Sequence, residues 1–289
     1  MSVVRLWVMV GGTGSGYGDH DAAFVNQLEI RQIGMSRSGN HALANWIVRQ
    51  AEGRVCFLNC AEPRTNPFES ARPFDDGAVA EANYAEFDLE AEHRGRLSRK
   101  DLLLFSHEDC FLGMLSRAGA FEVHHDRWVG RSNRRVDVLL LRDPFNLFAS
   151  RINAFGSEGA SHTAFRIWKQ HAREFAGLRR HLRNDRVMVS YNRWVDDKAY
   201  RAEVAGALGL PFSDAGRLEV PAVSSGSSFD GRAYDGNAAD MAVLERWRWL
   251  EENPSYLAGF DGEVLDLATR IFGVVCEATF YRLLERLRN

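Results

Sequence analysis

The sequence predicts an α/β fold, a parallel β-sheet flanked by helices with a helical C-terminal part. Short apolar, strand-like runs recur at 28–33, 55–59, 102–105, 136–141 and 186–190. Helix-like runs alternate with them, notably at 42–50, 145–154, 162–182 and 199–208. Parallel neighbours need a long crossover, usually a helix, so this alternation is the mark of a parallel sheet. The third observation is composition: 289 residues, 45% of them hydrophobic, suffice for a sizeable core.

From the N-terminus, residues 1–10 are apolar but too few to span a bilayer, and no basic n-region or cleavage pattern accompanies them. A soluble, cytoplasmic chain with no membrane span is expected. Residues 11–18 are glycine-rich, but Tyr17 stands where a dinucleotide-binding GxGxxG motif needs its third glycine. Residues 1–27 therefore read as a flexible or extended segment within a single domain covering 1–289. Net charge is −3 and gives no ground for a nucleic-acid partner. Cys56, Cys60, Cys110 and Cys276 lack metal-ligand spacing and read as buried or free thiols, with Cys56 and Cys60, four apart, as the alternative of a weak pair.

Between the first strand and first helix lies Gly34-Met35-Ser36-Arg37-Ser38-Gly39-Asn40-His41. Two glycines five apart at a strand-to-helix turn make a phosphate cradle, a P-loop-like element. The magnesium-nucleotide version ends in Lys and then Ser or Thr. Here those places hold Asn40 and His41, and the strong cation, Arg37, sits inside the loop. The loop suits an anionic nucleotide without the usual lysine and metal.

The 55–59 run is a buried-strand pattern, followed by a long polar stretch at 61–100. Stretches of that length inside a domain are usually functional. Its Phe68, Phe74, Tyr84 and Phe87 either line an aromatic pocket or anchor the loop. The 136–141 run is dominated by apolar residues, as in strands covered on both faces. It ends at Leu141-Arg142-Asp143-Pro144, where Asp143 suits an N-cap and Pro144 the first turn of a helix. Ser150 follows eight residues after Arg142. In open α/β sheets ligands bind at the carboxyl ends of the strands, so Arg142 and the loop at Gly34 are placed to face one crevice.

Taken together, GMSRSGNH and RDPFNLFAS resemble the two cofactor-binding motifs of the sulfotransferase family, which uses 3′-phosphoadenosine 5′-phosphosulfate (PAPS) and releases PAP. The resemblance implies that Arg37, Ser38, Gly39, Asn40 and His41 hold the 5′-phosphosulfate, and that Arg142 and Ser150 hold the 3′-phosphate. Looser likenesses follow. Met188-Val189-Ser190-Tyr191-Asn192 resembles the family's strand ending in Tyr-Glu, with Tyr191 near the nucleotide and Asn192 in place of the acid. Residues 206–211 resemble its "FLGLP" helix end. The stretch Ser224 to Phe229 stands where a late loop covers the adenine and 3′-phosphate side, which implies Ser227, Ser228 and Phe229.

This resemblance implies in-line transfer of a sulfuryl group to a hydroxyl of a carbohydrate or small metabolite, with a general base and no metal. Loose sulfuryl and phosphoryl transfers both depend on stabilising charge on the leaving oxygen, a role that falls to Arg37 and the loop N–H groups. Two residues are candidates for the base. His107 resembles the histidine of the Lys-Thr-His stretch in small-molecule sulfotransferases, and Glu62 resembles the Glu-Pro segment after the second strand in carbohydrate sulfotransferases. The rivals are a nucleotide or small-molecule kinase, and a non-catalytic PAP- or nucleotide-binding protein. The basic run within 162–183 reads as a solvated helix face or a surface for an anionic acceptor. Arg246-Trp247-Arg248-Trp249 reads as core tryptophan with snorkelling arginine on a C-terminal helix.

Overall fold

Five strands build one sheet: β1 (Asn26–Gly34), β2 (Val55–Leu58), β3 (Lys100–Glu108), β4 (Ser132–Leu141) and β5 (Asp185–Ser190). All are parallel and lie in the order β2-β3-β1-β4-β5. This computed structural model describes residues 24–72, 86–115, 119–221 and 226–275. The expected α/β class is observed. The connection out of β1 runs to one side of the sheet and the connection out of β3 to the other. Such a switch opens a crevice beyond the carboxyl ends of these neighbours. Register fixes what meets there: Gly34 pairs with Glu108, and Ile33 pairs with both His107 and Leu139.

Strand β1 begins inside the expected N-terminal segment 1–27. Asn26 is fully buried, and its Nδ2 donates to Val129 O at 2.9 Å, so a polar residue is drawn into the sheet by a hydrogen bond. Helix α1 (Asn40–Gln50) covers one face of the sheet. Leu43, Trp46 and Ile47 pack there with Ile30, Leu102, Leu104, Val138 and Val189. On the other face α2 (Ala120–Trp128) covers the β2 and β3 side, its Phe121 packing on Leu103 and Phe105, while Leu112, Leu115 and Leu182 pack on Ile33 and Leu139. The apolar pattern misses α2, because Phe121 and His125 alone are buried among its polar residues.

Helix α3 (Pro144–Phe155) starts as the sequence predicts: Asp143 Oδ1 accepts from the Asn146 N–H at 2.9 Å, with Pro144 in the first turn. Helix α4 (His162–Phe175) stops before the expected Leu182. Gly177 takes a left-handed φ of 72°, and Glu174 turns its carboxylate onto the N–H groups of His181 and Leu182. The basic run is thereby split. On the helix, Lys169 pairs with Asp261 at 2.8 Å and Arg173 with Glu263 at 2.6 Å, while His171 is fully buried. Helices α5 (Tyr191–Asp196), α6 (Lys198–Leu208) and α7 (Gly262–Phe272) follow.

Arg246–Trp249 is a 3-10 turn and not part of a longer helix. Trp247 is core as expected, but Trp249 is 75% exposed. Within 61–100, Phe68 and Phe87 are anchors, each with its ring 5.3 Å from the buried Lys100 ammonium. Phe74, Tyr84, the glycine-rich 11–18 stretch, Ser224, Ser225 and Cys276 lie outside the described residues. No described helix is long and apolar enough to cross a membrane.

Candidate functional site

The turn after β1 is held by several independent contacts. The Ser38 N–H donates to Met35 O at 3.0 Å, and Asn40 Nδ2 donates to the same oxygen at 2.8 Å. Asp109 Oδ1 accepts from the Ser36 N–H at 3.2 Å and from Arg151 Nη1 at 2.7 Å, and Arg151 Nη1 also donates to Ser36 O at 3.1 Å. Arg37 adopts φ 69°, a left-handed conformation uncommon for a residue with a side chain. Gly39 takes φ 95°, and a Cβ there would lie 2.2 Å from the Tyr191 ring. At Gly34 an added Cβ would lie 2.1 Å from Asn40 Oδ1. Gly39 is therefore required by close approach and by its φ, whereas a Cβ at Gly34 would have to displace the Asn40 amide from its hydrogen bonds to Met35 and Glu108. The first-turn N–H groups of a helix have no intrahelical acceptor, so the start of α1 is suited to an anion.

Arg142 follows β4 directly and is 4% exposed. Its Nη1 donates to Arg37 O at 3.0 Å and to Ser150 Oγ at 3.2 Å, and its Nη2 donates to Val243 O. Its Nε is buried with no hydrogen-bond partner among the described residues. Asp143 is not its ion-pair partner: that buried carboxylate accepts from Asn146 Nδ2 at 3.0 Å and from Asn192 Nδ2 at 2.9 Å. Asn192 thus has a reason to be an amide, since a carboxylate there would face Asp143. The Arg142 guanidinium lies 5.0 Å from the centre of the Tyr191 ring, which in turn stacks on Trp194.

Arg37, Arg142, Ser150, Tyr191, Ser227 and Ser228 line one cleft of about 150 Å³, so elements far apart in sequence converge on it. Arg37 Nη2 donates to Gly226 O at 3.2 Å, tying the first loop to the late one. Burial lowers the pKa of both Arg37 and Arg142. The Arg142 charge lowers that of Arg37 further, and Arg246 does the same to Arg142. Among the described residues neither has a carboxylate within ion-pair distance. A third cation on the wall, Arg217, is in the same position. It donates to Val195 O, sits 5.3 Å over the Trp194 ring and leaves a buried Nε unpartnered. No motif marks Arg217, which lies in a loop-like stretch. Charge withdrawn from water without an ion-pair partner is costly, and Glu108, Asp143 and Asp214 offset only part of the pKa lowering that burial imposes on these groups, so three such guanidiniums around one cleft fit an anion with several charged groups.

The remaining sequence candidates separate. Asn40 and His41 line the cleft, and His41 Nε2 is 3.0 Å from Asn59 Oδ1. Ser38 is buried, its Oγ donating to Asn40 Oδ1 at 3.3 Å. The Phe229 ring lies 4.5 Å from the Arg246 guanidinium and does not line the cleft. Glu62 is exposed and His107 is 1% exposed, and neither lines the cleft. His107 Nδ1 is 2.7 Å from Ala61 O, its ring packs edge-on against Phe105, and burial lowers its pKa to about 4. The carboxylate next to it, Glu108, does line the cleft. Among the described residues no three His, Cys, Asp or Glu side chains are grouped to hold a metal.

The chain matches no protein-family model and no curated protein. Solved structures similar to it include the sulfotransferase domain of the Synechococcus olefin synthase, at 15% identity and TM-score 0.47, over 88% of this chain and 97% of that one. A mouse sulfotransferase complexed with PAP is similar at 12% identity and TM-score 0.42, over 90% of this chain and 89% of that one. The sulfotransferase domain from the curacin biosynthetic pathway is similar at 12% identity and TM-score 0.42, over 89% and 96%.

Proposed function

We propose that this chain is a PAPS-dependent sulfotransferase that acts on a hydroxyl of a carbohydrate or small metabolite. The observation that carries the reading is Arg142. It is a buried guanidinium without a carboxylate partner, bonded to the serine eight residues on and to the backbone of the phosphate-type loop. The residues present fit the nucleotide: an orphaned Arg142 Nε, glycines in close approach to their neighbours, and three cations without an ion-pair partner among the described residues around one cleft.

Arg142 and Ser150 would hold the 3′-phosphate, with Ser227 and Ser228 closing over it and Tyr191 beside the nucleoside. The 34–41 loop would hold the 5′ end through Arg37, His41 and the α1 N–H groups, the backbone N–H of Asn40 among them, since both hydrogens of the Asn40 side-chain amide go to Met35 O and Glu108 Oε1. PAPS supplies an activated sulfuryl group. Arg37 and the helix start then stabilise charge on the departing phosphate oxygen, and losing one such donor typically costs about 3 kcal/mol of barrier.

The test is transfer of labelled sulfate from PAPS to a panel of phenols, alcohols and monosaccharides, run with and without EDTA, beside calorimetric titration of PAP. Metal-independent transfer is the expected result. PAP binding without any transfer overturns the enzyme reading, and phosphoryl transfer from magnesium-ATP favours the kinase.

A further inference from the structure

Glu108 stands in the wrong place for an anion-binding residue. It is a carboxylate on the wall of a cleft whose cations gather anions, close enough to Arg37 to offset part of the pKa lowering that burial imposes there. Like charge weakens the binding of an anionic ligand, so binding alone does not explain it. The other carboxylate on the wall, Glu219, is taken up by Asn45 at 2.8 Å and Arg49 at 3.2 Å.

Strand geometry aims Glu108 at the cleft. Alternate residues of β3 face opposite sides of the sheet. Leu102 and Leu104 pack with α1, whereas Leu103 and Phe105 pack with α2. Glu108 belongs to the α1 set and His107 to the α2 set. Register places Glu108 beside Gly34, at the start of the phosphate-type loop. Asn40 Nδ2 donates to Glu108 Oε1 at 2.8 Å and holds the group in place. Oε2 carries no hydrogen bond from another described residue.

From this placement we infer that Glu108, and not His107 or Glu62, is the catalytic base of the transfer, an inference that rests on the sulfotransferase reading above. Glu108 Oε2 takes the proton of the acceptor hydroxyl as that oxygen donates an electron pair to sulfur. The bond from sulfur to the bridging phosphate oxygen breaks, and its electron pair stays on the phosphate beside Arg37. Glu108 then gives the proton to solvent. Atoms and charge balance with no further reactant.

Glu108→Gln separates this role from a structural one. The amide oxygen still accepts from Asn40, but the side chain no longer takes up a proton. The assay uses the full chain with labelled PAPS, the acceptor panel, and water as the acceptor always present. Expected is a fall in kcat of about 10²–10⁴-fold. The Kd for PAP by calorimetry should stay within about threefold of the parent, since the anion contacts are intact. Glu108→Asp, which keeps a carboxylate, is expected to recover part of the rate. Transfer or PAPS hydrolysis at near-parental kcat in Glu108→Gln overturns the inference, as does loss of PAP binding together with rate. A parent chain that neither binds PAP nor releases sulfate overturns the sulfotransferase reading itself.

Discussion

Arg142 Nη1 donates to the carbonyl oxygen of Arg37, joining the end of β4 to a loop 105 residues earlier. The contact pins the left-handed turn at Arg37 and makes one guanidinium both a scaffold and a candidate anion ligand. The same Nη1 also reaches Ser150.

Replacing Arg142 should therefore damage binding more than a single lost contact would. Arg142→Ala is expected to weaken PAP binding by at least about 10–100-fold, since hydrogen bonds to charged groups contribute about 1.5–3 kcal/mol. Arg142→Lys should not restore it, because an ammonium cannot reproduce the planar fork that serves both Ser150 and the Arg37 carbonyl. Calorimetry with PAP, checked against circular dichroism for folding, measures both.

Gly39→Ala should lower stability by about 1–3 kcal/mol in urea unfolding. A second change, Tyr191→Ala, removes the ring that an added methyl would strike at 2.2 Å. It relieves the clash but not the positive φ. The double variant should recover only part of the deficit, measured against Tyr191→Ala alone.

Two buried histidines tie stability to pH. Burial lowers the pKa of both His107 and His171 from 6.5 to about 4. Each stays neutral in the folded chain at pH values where the unfolded chain takes up a proton. Their contribution is intact above pH 6.5 and is lost as pH falls toward 4, at up to about 1.4 kcal/mol per pH unit for each group. His125 works in the opposite sense. Burial opposes its charge, but the Glu29 carboxylate at 2.6 Å prevails and raises its pKa. Its contribution is full below 6.5 and is lost as pH rises through the raised value. Paired variants isolate the first effect. His107→Asn and His171→Gln can keep a donor toward Ala61 O and Cys110 O, the carbonyls that the two rings face at 2.7 and 2.9 Å. Urea unfolding of the double variant between pH 6.5 and 4 should show a shallower loss of stability than the parent. An unchanged slope would remove these histidines from the account.

The same His107→Asn variant bears on the chemistry. With Glu108 as the base, its transfer rate and that of Glu62→Ala should stay within about threefold of the parent, where losing a general base costs about 10²–10⁴-fold. The labelled-PAPS assay reads both.

Local chemistry was the legible part. The Gly34–His41 turn and the Asp143-Pro144 helix start depend on residues within one or two turns of each other, so spacing alone locates them. Their meeting in one cleft followed from the rule for strand ends in a parallel sheet. What spacing does not carry is which way a residue at a strand end points. His107 and Glu108 are neighbours in sequence, yet β3 sends one under the sheet against Phe105 and the other to the cleft. Strand parity, counted from Leu102 and Leu104, was the available signal. Arg217 was illegible for a different reason. It belongs to no periodic element, and only the packing of its loop over Trp194 brings it to the wall. Helix α2 escaped because two buried residues in nine leave almost no apolar stripe. Gly177 and the Glu174 carboxylate ended α4 earlier than its polar pattern suggested.

The central claim is that Arg142 and Ser150 form a 3′-phosphate site opposite a 5′-phosphate loop. Calorimetric titration of the parent chain and of Arg142→Ala with PAP and with adenosine 5′-monophosphate, which lacks the 3′-phosphate, tests it most directly. The parent should bind PAP at least about tenfold more tightly, one charged contact being worth about 1.5 kcal/mol or more. Arg142→Ala should bind the two nucleotides nearly alike. Equal affinity for both in the parent, or a preference for PAP that survives in Arg142→Ala, would contradict the account.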